Sequence, residues 1–448
     1  MAQTKEVCIC NEKIFMIGKL LTGGCLALSI AAFAQSEKDR FEDSAVKYFT
    51  EVQERLAGPE ANLWTYSLAG PMIFVDRKSR KVYANLQDKE GFLTRSGEIW
   101  TGNLPLDINI ANTATIWAGL KWTMVQLPLP ADPKKRMSLL FHEMFHRIQD
   151  EIGLPANSPV CEHLDSREGR IYFRLELEAL KAAISKPVHQ RRKDLEAALA
   201  FRQYRYHLYS NASQIEQQLE FNEGLAEFTG VYVSGICRSD PQYLEHVISD
   251  AVMNYKSFAR SMAYITGPVY GILLSQKNKR WQLQIRSASV FGELLAENYH
   301  LKKGTDRKDQ IQVLMKQYNG DSIVREESDR EKDRLNKEIK YTATFVNGHL
   351  LELPHTSLNN FSFDPNNIFP FGENSAIYHT MTMTDKWGRL VVTDAAWMKN
   401  FSKTYVPVPD SMHVEGPLIS GPGWELELNK NWKLAAGAKT GDFKVVEK

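Results

Sequence analysis

His142-Glu143-Met144-Phe145-His146 carries the residue types and the spacing of a hydrolytic metal site. On a helix, residues i and i+4 stand one turn apart on one face, with Cβ atoms about 5–6 Å from each other. Two imidazoles so placed share one metal ion at about 2.0–2.1 Å. Glu143, between them, is then no ligand; it is the carboxylate positioned to take a proton from an attacking water. The alternative for these five residues alone is a helix carrying two solvated histidines.

The flanking sequence supplies the element that such a site needs. Asp132-Pro133 reads as an N-cap followed by proline at the first helical position. Met137, Leu140, Phe141, Met144, Phe145 and Ile148 recur at helical spacing, and Gly153 and Pro155 mark the stop. A third ligand is required. The pattern HExxHxxGxxH fails, because Gln149 stands where glycine is needed and Ile152 where the third histidine is needed. Downstream stands Glu220-Phe221-Asn222-Glu223-Gly224-Leu225-Ala226-Glu227-Phe228. Ser213 and Glu216 read as a capping box ahead of it, so a helix is expected from about Gln214, with Leu219, Glu223, Ala226, Glu227 and Gly230 on one face. Gly224 inside that helix costs roughly 1 kcal/mol relative to alanine and points to close packing there. Glu176 and Glu178 are the rival third ligands.

His142-Glu143-x-x-His146 followed by Asn222-Glu223-Gly224-Leu225-Ala226 resembles the gluzincin metallopeptidases, the group of thermolysin and aminopeptidase N. The resemblance implies Zn2+ as cofactor, Glu223 as third ligand, and Asn222 and Glu227 as the residues that orient the two histidines. It departs from the family in the long stretch between His146 and Glu223, which reads as added helices, and in the glutamate at position 227, where thermolysin has aspartate. Two histidines and one carboxylate leave a fourth coordination position open, the composition of a catalytic zinc site. Tyr264-Ile265-Thr266-Gly267 resembles the segment carrying the catalytic tyrosine of the aminopeptidase N family, with Thr266 in place of lysine. Tyr264 is therefore the expected oxyanion donor and Tyr270 the second candidate, with Arg260 a partner for a substrate carboxylate. The aminopeptidase signature Gly-x-Met-Glu-Asn is absent; the stretch before the active-site helix reads Trp117-Ala118-Gly119-Leu120-Lys121-Trp122-Thr123-Met124. An endopeptidase is expected rather than an aminopeptidase, with that strand taking an extended peptide by edge pairing. A non-catalytic peptide- or glycan-binding protein on a zincin scaffold is the rival reading, and Glu143 argues against it; a zinc hydrolase of a non-peptide bond is another.

The rest of the chain sets the frame for that site. A length of 448 residues with 43% hydrophobic and 24% charged side chains is enough for a large core and two or three domains. Lys+Arg 55 against Asp+Glu 54 removes the electrostatic case for nucleic acid, and the resemblance implies a peptide or protein substrate as the partner. Residues 1–34 read as a signal peptide: Lys19, the apolar run Leu20 to Phe33, then Ala32-Phe33-Ala34 before a cut at Gln35. Met16 is the expected true start, because Glu6 and Glu12 do not suit a signal peptide. The mature chain is expected to be exported, periplasmic or secreted, with no membrane span; lipid anchoring at Cys25 suits the sequence less well. Only Cys161 and Cys237 remain in the mature part, as one disulfide or two buried thiols.

The expected fold class is α+β. Residues 35–130 form the N-terminal helix and β-sheet part of a zincin-like peptidase domain, and 131–320 its helical active-site part, with breaks at Pro187, Asn211, Gly230 and Gly267-Pro268. Residues 321–340 form a charged helix or linker. Residues 341–448 form a C-terminal all-β domain, with strands at Tyr341 to Val346, Leu350 to Leu353, Ile377 to Met383, Leu390 to Thr393 and Trp424 to Leu428.

Overall fold

The computed structural model describes residues 25–286, 289–302, 308–357, 360–363, 367–409 and 412–448. Residues 1–24, and with them most of the expected targeting segment and its Met16 start, lie outside the described residues. Among the described residues no helix is long and apolar enough to cross a membrane. By its internal contacts the chain divides into two units. The first comprises the chain up to Asn157, Glu220–Tyr243 and Asn278–Ser289; the second comprises Ser158–Leu219, Leu244–Lys277 and Val290–Lys448. The leading helices of the chain are α1 (Cys25–Leu56), α2 (Pro133–Ile148), α3 (Arg167–Ile184), α4 (Arg192–Leu208), α5 (Ala212–Leu219) and α6 (Leu225–Ser234).

The first unit is built on a sheet of β1 (Met72–Asp76), β2 (Lys81–Ala84), β3 (Thr94–Ser96), β4 (Ile99–Asn103), β5 (Thr113–Trp117) and β6 (Leu120–Leu127). Its order is β3-β4-β2-β1-β6-β5, antiparallel except where β1 runs parallel to β6 with Met72 opposite Thr123. The stretch before the active-site helix is therefore a hairpin. Ala118 at φ 49° and Gly119 at φ 74° give the two positive-φ positions that a tight hairpin turn demands. This corrects the expectation of edge pairing: β6 is hydrogen-bonded on both sides, by β1 and β5, and the open edge belongs to β5. One face of the sheet, through Phe74, Val125 and Leu127, packs against Phe49 and Val52 of α1 and Leu140, Phe141 and Met144 of α2. Each such side chain, taken fully out of water, contributes roughly 1.5–3 kcal/mol.

The second unit joins helices to the C-terminal sheets. Glu176 of α3 and Arg202 and Arg205 of α4 are buried together with Glu216 of α5. Glu216 is thus no member of a capping box: it accepts hydrogen bonds from Arg205 Nε and Nη2, both at 2.7 Å, and lies 2.7 Å from His163 Nε2. The helix Met262–Lys277 runs straight through Gly267-Pro268, an expected break, and is buried along nearly its whole length. That burial outweighs the roughly 3 kcal/mol that an interior proline costs. The charged run is a helix, as expected, and is largely solvent-exposed beyond Glu327. It forms the helix Gly320–Tyr341, and Glu327 within it is buried, receiving Arg170 Nε at 2.7 Å and Arg174 Nη1 at 2.8 Å from α3.

The C-terminal part is all β, in a seven-stranded and a six-stranded sheet among the described residues. Trp387, Leu390, Met383 and Leu426 share one core with Leu351, Leu353 and Val406, the period-2 alternation expected of strands covered on one face. Two expected strands differ. Tyr341 to Val346 continues the preceding helix as a π-helical turn, because Tyr341 and Phe345, four residues apart, are buried in one cluster with Phe371 and Ile377. Ile377 to Met383 is two strands, Ser375–Tyr378 and Met381–Asp385, which belong to different sheets. No disulfide joins Cys161 to Cys237 among the described residues, and burial pushes the Cys237 thiol up to about 12.

Candidate metal centre

The first unit brings His142, His146 and Glu223 together, with one potential ligand atom of each lying within 4.8 Å of the others. The local sequence explains how. Asp132 caps α2, its Oδ1 accepting the backbone N–H groups of Lys134 and Lys135 at 2.9 and 2.8 Å. The apolar stripe of α2 then fixes its rotation, and the two histidines stand on the face that meets α6. The contact between these helices is close at Gly230, which lies inside α6 and does not break it. A Cβ there would collide with the carbonyl oxygen of Ser138 in α2. Packing thus demands a glycine at position 230. On its other side α6 is held by Trp64 Nε1, which donates to Thr229 Oγ1 at 3.0 Å, and by Phe228 against Trp281.

Glu223 does not sit on a regular helix. Glu220–Gly224 is a π-helical turn immediately before α6. A π turn takes in an extra residue and rotates the chain before it relative to the helix after it, a feature frequent at functional sites. Here it places Glu223 and Glu227 against the same pair of imidazoles. Glu223 Oε2 lies 3.6 Å from His142 Nε2 and 3.7 Å from His146 Nε2, and the two Nε2 atoms are 3.2 Å apart.

The outer contacts of the two rings differ from the expected arrangement. His142 Nδ1 lies 2.9 Å from Glu227 Oε2. Asn222, expected to orient a histidine, donates its amide to Glu223 Oε1 at 3.0 Å. The oxygen facing His146 Nδ1 belongs to Gln149, at 3.0 Å, and Gln149 Nε2 donates to the Pro155 carbonyl at 2.8 Å, which sets the amide the right way round. Sequence reasoning passed over Gln149 because it was the residue that broke another zinc pattern. Its spacing of three from His146, on the same helix face, was the signal.

These contacts provide a test of whether a metal ion fits. With Nδ1–H directed at Glu227 and Gln149, the two Nε2 atoms face each other at 3.2 Å, a spacing at which two lone pairs repel unless a proton or a metal ion lies between them. Four ligands about 2.0–2.1 Å from one ion at tetrahedral angles stand about 3.3–3.4 Å apart. The separations of 3.2, 3.6 and 3.7 Å match that spacing. The electrostatics agree. Burial works against a charge on His142, yet Glu223 and Glu227 outweigh it and hold its imidazole up at about 10, so this spot favours positive charge. Glu143 is buried, which raises its carboxyl above the usual range, and its Oε2 has no hydrogen-bond partner among the described residues. A basic, unpartnered carboxylate oxygen beside two imidazoles is suited to accept a proton.

The other candidates are accounted for differently. Glu176 is committed elsewhere: it accepts from Arg202 Nε and from Tyr270 OH, both at 2.8 Å, and lies 2.8 Å from Arg205 Nη1, so it is no rival ligand. Tyr270, the second oxyanion candidate, is fully buried on that bond. Glu178 lies 4.0 Å from Lys181 on the surface of α3. Tyr264 belongs to the second unit, on the helix Met262–Lys277, and is 36% exposed. Arg260 is exposed in the turn before that helix.

No protein-family model, no curated protein and no solved structure matches this chain. The chemistry of the site rests on its own geometry.

Proposed function

We propose that this chain is an exported zinc metallopeptidase of gluzincin type, on a zincin-like fold, cleaving peptide bonds within a chain. The observation that carries the reading is the convergence of His142 Nε2, His146 Nε2 and Glu223 Oε2, with both Nδ1 atoms held by oxygen acceptors. Zinc suits two imidazoles and a carboxylate with one position left open, and there it would supply Lewis acidity toward a water and the scissile carbonyl. The protein's own groups do the rest. Glu143 Oε2 takes the proton of the attacking water and returns it to the leaving amine. Glu227 and Gln149 keep the two rings in the tautomer that presents Nε2, and Asn222 steers the carboxylate of Glu223. The free edge of β5, the outer strand beside α2, is suited to align an extended peptide by main-chain pairing.

The purified protein is expected to carry about one zinc per chain by elemental analysis and to cleave members of a peptide library. Glu143→Gln should retain the metal and lose cleavage, whereas Glu223→Ala should lose the metal. Full zinc retention in Glu223→Ala would remove the ligand assignment, and cleavage unchanged by Glu143→Gln would remove the mechanism.

A further inference from the structure

The first unit carries a second cluster of charged side chains, away from the metal centre. A cavity of about 470 Å3 opens where the end of α1, the first turn of α2 and the turn after α6 meet. Lys134 stands eight residues before His142, about 12 Å along α2. Ser234 ends the helix that Glu223 precedes. The cavity is thus at the far ends of both helices that carry the metal-site residues.

Its lining is cationic. Arg55, Lys134 and Arg238 face it against a single carboxylate, Glu60. Glu60 pairs with Arg238, and that bond is the main reason its carboxyl is held below the usual range. Arg55 Nε donates to the carbonyl of Val233, while its Nη2 is buried and has no hydrogen-bond partner. Both guanidinium groups close on one point of the backbone. A Cβ on Gly235 would stand 2.7 Å from Arg55 Nη2 and 3.0 Å from Arg238 Nη2, and Gly235 holds φ +72°. Like charges brought together in this way repel unless an anion joins them. The carbonyl ends of α1 and α6 each supply about half a negative charge and the amide end of α2 about half a positive one, so the helix ends offset only part of the side-chain charge. Three cations against Glu60 leave an excess of two. Ser234 and Ser239, also on the lining, already donate to the carbonyls of Val231 and Ile236, so the donors open to a ligand are guanidinium and ammonium groups.

We propose that this cavity binds a small, multiply charged oxyanion, phosphate- or carboxylate-bearing, between Arg55, Lys134 and Arg238. Guanidinium forks match both anions in geometry, and charge-assisted bonds of this kind are about twice as strong as neutral ones. A bound anion ties the start of α2 to the end of α6. The site does not depend on the metallopeptidase reading.

Calorimetric titration of the full chain at low ionic strength tests it, with inorganic phosphate in one arm and succinate in the other. His142→Ala serves as a second background, so that anion binding at a metal is separated from binding here. One saturable site is expected in both backgrounds, weakening as salt is added. Lys134→Ala and Arg238→Ala should each weaken it at least tenfold, and Glu60→Gln should tighten it severalfold by removing the competing carboxylate. Opposite signs from neighbouring substitutions do not arise from misfolding, and an unchanged unfolding midpoint verifies the fold. The ratio of the two anions' affinities identifies the headgroup class. Absence of a saturable site for both anions, or affinities that neither Lys134→Ala nor Glu60→Gln alters, would overturn the proposal.

Discussion

Two clusters of histidine and glutamate, one in each unit, resolve their charge in opposite ways. In the second unit Glu176 and Glu216 are matched by Arg202 and Arg205, with His163 and Tyr270 completing the hydrogen bonds. In the first unit His142 and His146 face Glu143, Glu223 and Glu227, and the cluster's own partners are imidazoles and carboxylates. The first kind of cluster is closed: the chain supplies both signs. In the second, His142, His146 and Glu223 form a set that could hold a cation from outside. A glutamate beside a histidine therefore says little by itself, and the sign of the next side chain decides between scaffold and site.

The largest effect that tests this contrast is expected from Glu216→Gln. It leaves Arg205 fully buried with half its counter-charge gone, and breaking a buried pair in this way costs roughly 3–5 kcal/mol. Urea unfolding would show the loss while zinc content stays at the wild-type level; a loss of metal without a loss of stability would dissolve the distinction between the clusters.

Gln149→Ala should act in the reverse sense. Removing the acceptor on His146 is expected to weaken metal affinity about 10–100-fold, measured by competition with a chelator, with secondary structure unchanged. Gln149→Glu, which keeps an acceptor, should restore it. Affinity untouched by Gln149→Ala would mean that the ring is held by other means.

Acid should separate the clusters further. Burial alone would raise the carboxyl of Glu216, but Arg205 and His163 override it and hold it far below its usual 4.5. A depressed carboxylate contributes stability that is present above 4.5 and is lost as the pH falls from there toward the native value. The Glu216→Gln protein should therefore show a shallower decline below pH 4.5 than the wild type, and parallel curves would contradict the assignment.

The smallest effect is expected from Glu143→Gln on the metal-free protein. Its carboxylate is buried and Oε2 lacks a partner, so removing the charge should leave stability unchanged or raise it by about 1 kcal/mol. A loss of more than about 2 kcal/mol would show a paired, structural glutamate like those of the second unit.

Much of the site was legible from spacing. The cap at Asp132, the stripe of α2 and the i, i+4 histidines are local features, and a helix converts sequence separation directly into direction. The pairing of His142 with Glu227 was likewise within reach of a pattern. That Gln149 meets His146 Nδ1 and Asn222 meets Glu223 was not legible: Asn222 stands on the π-helical turn at Glu220–Gly224, and no local propensity announces such a turn. The hairpin at Ala118-Gly119 moved the open sheet edge from β6 to β5 for a similar reason: strand pairing is chosen by partners distant in the chain.

By itself the sequence determined which residues have the chemistry: two histidines on one helix face, a glutamate between them, and a set of downstream carboxylates. Only the tertiary structure decided among those carboxylates. It left Glu223 against the imidazoles and gave Glu176 and Glu216 to Arg202 and Arg205. The physical reason is that a carboxylate's role is set by the sign and distance of the charges packed around it, and those neighbours come from segments that meet only when the chain has folded.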